Sequence, residues 1–330
     1  MGADSCTPVL TSIAVLTGGG DALGMNASVR AVVRTALALG MRAFGVKRAY
    51  EGLARGELSE LGARDVGGIL QRGGTVLQTV RFPDFSRTEI QQEALARLGA
   101  LGVQGLVAIG GDGTMRGAAA LHRLGLPVIG IPASIDNDVY GTDIAIGTDT
   151  ALNTIVEAID KLRDTASSHR RAFIIETMGR DCGHLALMSG MISGAEMTLI
   201  PEQESSVEEV AAAVRGAYER GKTHAIIVVA EGSRLHARHL KEQLDALHPG
   251  FGLRVTILGH VQRGGSPSAW DRLVAARFGV TAVERLARGE RGVMVGLRGA
   301  QVIATPLEEV STRKRDVDLE FYRMARMLAR

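Results

Sequence analysis

Six apolar runs punctuate the chain, each of strand length and most of them closed by a glycine-rich or polar loop. They span residues 13–17, 106–109, 128–131, 171–176, 225–230 and 255–258. Elsewhere the apolar positions switch to helical spacing. In 150–165, Leu152, Ile155, Val156, Ile159 and Leu162 share one face and charges occupy the other. Helices are also predicted over 26–39, 207–220, 269–288 and 319–328, and one helix-sized segment separates the second and third runs. Strands alternating with helices argue an α/β fold with a mostly parallel sheet.

Two loops in this pattern carry chemistry. Gly110-Gly111-Asp112-Gly113-Thr114 follows the second run, and Ser134-Ile135-Asp136-Asn137-Asp138 follows the third. They belong to one βαβ unit and so emerge on the same sheet edge, where open α/β sheets bind ligands. A phosphate cradle and a carboxylate cluster are expected to face each other across one cleft, as phosphoryl transfer to a hydroxyl requires. Asp112 could hold Mg2+ through water. Of Asp136 and Asp138, one could accept the acceptor's proton while the other helps hold the metal. An aspartate with a pKa near ~4 is ionised at neutral pH and can serve as that base. The plainer alternatives are a tight turn and an Asx-rich turn.

Other motifs are weaker alone. The loop from Gly18 to Gly24 opens a helix and suits phosphate, but misses the dinucleotide fingerprint by one residue. Arg81, Arg171, Arg180, Arg254 and Arg263 fall near predicted strand ends or glycine loops, placed either to converge on phosphates or as surface charges. His260, beside Gly259, suits a structural or sugar-hydroxyl contact better than a base. His236 and His239 read as a solvated pair. The segment Gly216-Ala217-Tyr218-Glu219-Arg220-Gly221-Lys222-Thr223 matches the P-loop pattern letter for letter, but a helix precedes it and a strand follows. A P-loop needs the reverse order.

Composition narrows the class. At 330 residues the chain exceeds the size at which single cores stop growing, so two lobes are expected. A formal charge of +2 gives no reason to invoke nucleic acid or a membrane surface. Arginine far outnumbers lysine, which suits either oxyanion binding or genomic base composition. Two cysteines make no disulfide framework. No apolar stretch reaches a membrane span, and the first residues lack a signal-peptide pattern, so a cytoplasmic location is expected. Residues 1–11 read as a loose extension.

Taken in order, TGGGDALGMNASVR, GGTVLQTVRFPDF, AIGGDGT, SIDNDVYGTD, ETMGRDCGH and GHVQRGGSPSAWDR resemble the bacterial-type ATP-dependent 6-phosphofructokinases across residues 12–329. The resemblance implies two Rossmann-like lobes with mostly parallel sheets flanked by helices and an active-site cleft between them. The ATP and Mg2+ lobe would take 1–148 and 266–313. The fructose 6-phosphate lobe would take 149–265 and 314–330. It implies transfer of phosphate from ATP to the 1-hydroxyl of fructose 6-phosphate, with Asp136 as general base. Ser134 would sit near the transferring group, which Arg81 and Arg180 would stabilise, and Asp112 and Asp138 would hold Mg2+. Gly20, Arg81, Phe82, Gly111, Gly113, Thr114 and Gly117 would line the nucleotide cleft. Met178, Gly179, Glu231, His260 and Arg263 would contact the sugar phosphate. Arg171 and Arg254 would reach a neighbouring subunit's site in a homotetramer.

The same resemblance bears on donor and regulation. Pyrophosphate-dependent relatives carry Asp where Gly113 stands and Lys where Ala133 stands, so both positions favour ATP. Ala133, Arg116 and Leu23 depart from the usual ATP-enzyme pattern. An effector pocket for ADP or phosphoenolpyruvate would use Arg30, Arg34, Arg163, Glu196, Arg220 and Lys222, with Ala63 replacing one further arginine. A pyrophosphate-dependent enzyme and a catalytically silent sugar-phosphate sensor are the alternatives.

Overall fold

The structure, a computed structural model, describes residues 10–248 and 250–329. The described chain forms two compact units. It opens the first with β1 (Ser12–Gly18), α1 (Met25–Ala38), β2 (Arg42–Val46), α2 (Ala49–Arg55), β3 (Leu58–Glu60), α3 (Thr88–Ala100), β4 (Gly105–Gly110), α4 (Asp112–Arg123) and β5 (Val128–Pro132). The second unit is built from α5 (Thr148–His169), β6 (Arg171–Thr177), α6 (His184–Ile192), β7 (Met197–Leu199), α7 (Val207–Glu219), β8 (Ala225–Ala230), α8 (Ala237–Ala246) and β9 (Gly252–Ile257). The first unit then resumes with α9 (Ala269–Ala287), β10 (Val293–Arg298), β11 (Gln301–Pro306) and α10 (Leu307–Thr312). Helix α11 (Leu319–Leu328) falls in the second.

The first unit holds a seven-stranded sheet in the order β11-β10-β5-β4-β1-β2-β3. Its five inner strands pair in parallel, and β11 and β3 join antiparallel at the edges. The second unit holds a wholly parallel sheet, β7-β8-β6-β9. Strands β1, β4, β5 and β8 are buried at every position. Burial on both faces is why they read as continuous apolar runs rather than alternating ones. Strand β9 is an edge strand, with Leu253 buried and Arg254 exposed.

That edge position explains one difference from the sequence reading. Residues 255–258 were expected as the strand, but it begins at Gly252, where polar and apolar residues mix. Strands β2, β3, β7, β10 and β11 have no counterpart in the six runs; β3 and β7 are three residues long, and β10 and β11 form a hairpin at the sheet edge. The unit boundaries also differ in detail. Ile135–Asn137 group with the second unit, and the later crossings fall after Gly264 and Arg315 rather than at 265 and 313. The loose extension expected for 1–11 lies, as far as residue 9, outside the described residues. Thr11 is tied down, its N–H and hydroxyl both donating to Gln104 Oε1 at 2.7 and 3.1 Å.

Candidate functional site

In the first unit β1 and β4 run parallel and end side by side, Gly18 opposite Gly110. Helix α4 starts two residues after β4 and lays Thr114 over both strand ends. A Cβ on Gly18 would stand 2.6 Å from Thr114 Oγ1, and one on Gly110 would stand 2.8 Å from Thr114 Cβ. Only glycine fits at either place. Thr114 itself is buried, so its side chain acts as a wedge between strand ends and helix. The carbonyl of Thr114 accepts from Tyr50 Oη at 2.6 Å. Tyr50 stacks on Phe85 at 4.2 Å and fills the side of Gly117 where a Cβ would project. Burial pushes the Tyr50 phenol well above its ordinary pKa, so it stays a donor.

The two loaded loops meet here. Ala133 N donates to Gly110 O at 3.0 Å, and a Cβ on Gly111 would lie 3.8 Å from Ser134 Cβ. The first glycine loop joins them, since a Cβ on Gly19 would lie 3.8 Å from Gly111 N. Gly20, next along, is half-buried. Gly113 is exposed, and the neighbour nearest its Cβ direction is Arg116 Nη2 at 3.8 Å. Ser134 is fixed by Ser134 N to Ile146 O (3.0 Å) and Thr148 Oγ1 to Ser134 O (2.9 Å). Its hydroxyl donates to Asp138 Oδ1 at 3.1 Å. Thr79 Oγ1 donates to Gly19 O at 2.8 Å, which pins the segment leading to the exposed Arg81 and to Phe82, packed on the core. On α1, Arg30 is half-buried and Arg34 donates to Ala63 O at 3.3 Å.

In the second unit the carboxyl edge of the sheet collects Met178, Gly179, Arg180, Glu231, His260 and Arg263, which follow β6, β8 and β9. Glu231 Oε1 accepts from the backbone N–H groups of Gly179 (3.2 Å) and Arg180 (2.8 Å). Met178 N donates to Gln262 Oε1 at 3.2 Å, and the fully buried Gln262 donates onward to Gly259 O at 2.9 Å. A Cβ on Gly232 would overlap the Arg180 carbonyl, so the two loops interlock at that glycine. Arg180 is held with φ 51°, in the left-handed region. Its Nε stands 3.5 Å from Asp136 Oδ2, whose carboxylate is buried while the guanidinium is half exposed.

Arg171 and Arg254 sit elsewhere. Arg171 is the first residue of β6, and Arg254 pairs in register with Phe173. Six steps along the strand carry the chain from Arg171 to Thr177, about 20 Å of extended backbone. The opposite edge also holds Arg163, Glu196, Lys222 and the exposed Arg220. Lys222 Nζ pairs with the buried Glu196 at 3.0 Å, and Arg163 donates to Ser193 O. The P-loop look-alike runs from the last turn of α7 to the turn before β8.

Three supports had no signal in the sequence. Tyr50, Gln262 and the pair Asn137–His184 (Nδ2 to Nε2, 3.1 Å) act across many residues, and no periodicity marks them. Both Gln262 and the pair do lie inside motifs quoted above.

The family model described as Phosphofructokinase matches residues 12–286. A Lysinibacillus sphaericus protein named ATP-dependent 6-phosphofructokinase is 48% identical over 97% of this chain and 100% of its own length. ATP-dependent 6-phosphofructokinase 1 of Thermus thermophilus is 50% identical over 96% and 99%. A solved phosphofructokinase structure from Saccharomyces cerevisiae superposes with a TM-score of 0.86 at 35% identity, over 97% of this chain and 48% of that one. The chain belongs to the phosphofructokinase family.

The basic edge has one pH-sensitive member. Burial pushes the His224 imidazole below its ordinary pKa; Glu196 pulls it back, and Arg163 and Lys222 lower it further. Its Nδ1 lies 2.8 Å from Ser167 Oγ. Because the folded value is the lower one, the neutral ring favours folding. That stability is complete above about pH 6.5 and is lost as the pH falls through the folded value. His224→Gln should flatten the fall of Tm between about pH 7 and pH 5. An unchanged slope would refute the assignment.

Proposed function

We propose that the chain transfers the terminal phosphoryl group of ATP to the 1-hydroxyl of fructose 6-phosphate, giving fructose 1,6-bisphosphate and ADP, with Asp136 as general base. The observation that carries this reading is the buried Asp136 carboxylate beside the Arg180 guanidinium, in a chain nearly half identical to full-length ATP-dependent 6-phosphofructokinases. As the new O–P bond forms, Asp136 takes the hydroxyl proton. The bridging P–O bond to ADP breaks, and Arg180 and Arg81 offset charge on the transferring oxygens. The opening N–H groups of α4 and the glycines before it favour the polyphosphate. Met178, Gly179, Glu231, His260 and Arg263 take the sugar phosphate.

The donor set suits Mg2+. Two carboxylates on adjoining loops, Asp112 and Asp138, offer hard oxygen ligands, with Ser134 donating to Asp138. Among the described residues no group of three or more His, Cys, Asp or Glu side chains forms a metal cage, and Mg2+ bound with phosphates and water needs none. Asp112 and Asp138 would hold the ion, which when bound neutralises phosphate charge.

ATP is favoured over pyrophosphate because the space beside Gly113 is open except for Arg116 and Ala133 brings no cation. Arg171 and Arg254, at or near the far edge of their sheet, would serve the site of a neighbouring copy, so a protomer alone would be incomplete. Among the described residues no helix is long and apolar enough to cross a membrane.

Asp136→Asn should lower kcat roughly 10²–10⁴-fold with KM for fructose 6-phosphate largely kept; a near-normal kcat excludes the role. In a coupled assay with Mg2+, ATP should support turnover and pyrophosphate should not, and the converse would reassign the donor. Co-expressing Asp136→Asn subunits with Arg254→Ala subunits should restore activity that neither variant has alone. If mixing restores nothing, the sites are not shared between subunits.

A further inference from the structure

Asn137 lies between Asp136 and Asp138, buried at 1% exposure, with its backbone at φ 56°. Asparagine tolerates this left-handed conformation better than most residues. Its Nδ2 lies 3.1 Å from His184 Nε2. With the amide so oriented the ring nitrogen accepts, which requires a neutral imidazole carrying its proton on Nδ1. His184 opens α6, and the preceding residue is anchored by Gly183 N donating to Glu202 Oε1 at 2.8 Å. Residues 178–184 therefore meet the base segment through Arg180 to Asp136 and through His184 to Asn137.

The two points differ in kind. Arg180 Nε stands 3.5 Å from Asp136 Oδ2, longer than a charge-assisted hydrogen bond, and its side chain is half exposed. In the reaction proposed above, Arg180 must also attend to the transferring phosphoryl group. When it does, its hold on the carboxylate weakens. The Asn137–His184 contact is neutral, and phosphate does not compete for it.

We propose that His184 is a positioning residue for the general base, holding Asp136 in its reactive orientation through Asn137 while Arg180 engages phosphate. This rests on the reading of Asp136 as the base. The test is steady-state kinetics of the full-length enzyme with ATP, Mg2+ and fructose 6-phosphate. His184→Ala should lower kcat about tenfold or more, the scale on which small misplacements act, and leave both KM values within about twofold. His184→Gln, which can present an acceptor near the place of Nε2, should recover most of that loss. His184→Asn, too short to reach, should behave like the alanine variant and substitutes for it if that variant does not fold. In an Asp136→Asn background, His184→Ala should cause no further loss, because its effect passes through the carboxylate. A wild-type kcat in His184→Ala, or the same loss in both backgrounds, overturns the proposal. A near-normal kcat in Asp136→Asn alone overturns the base assignment instead.

Discussion

Everything at the carboxyl edge of the first sheet depends on how closely two strand ends approach the first turn of a helix. Gly18 and Gly110 stand opposite each other, and Thr114 fills the space their side chains would need. That contact sets the start of α4 directly beyond β4. It leaves Gly111 beside Ser134 and places the first turn of the helix directly after the glycine loop. A methyl group at either strand end would push the helix away and separate the glycine loop from the carboxylate loop. Tyr50 secures the same turn from below through the Thr114 carbonyl.

The second sheet solves a similar problem with side chains. Its loop at Met178 to Arg180 is shaped by two acceptors, Glu231 and Gln262, each taking backbone N–H groups that no strand satisfies. Such caps fix where Arg180 begins but leave its guanidinium half exposed. The loop backbone is held by side-chain acceptors, and the guanidinium beyond it still reaches solvent.

Much of this was legible in the sequence because doubly buried parallel strands write themselves as apolar runs, and each such run here announced the loop beyond it. The runs at β1, β4, β5, β6 and β8 located the glycine and aspartate motifs. What stayed hidden follows from the same physics. The edge strand β11 mixes exposed and half-buried positions and loses the signal, and the edge strand β9 shows it only toward its end. Helix α6 is apolar through Leu185, Ala186 and Leu187 and so shows no amphipathic period. Polar supports such as Tyr50 and Gln262 find their partners through tertiary contact alone, which spacing along the chain does not encode.

The interleaved chain order has a consequence for synthesis. Strand β5 gains its outer neighbour only when β10 arrives, after the whole of the second sheet has been made. Until then a nascent chain carries a bare apolar strand with one row of backbone groups unsatisfied, the kind of edge that recruits other chains. Chaperone demand on the ribosome should therefore peak between the emergence of β5 and that of β10, and a premature stop in that interval would release a fragment prone to aggregate.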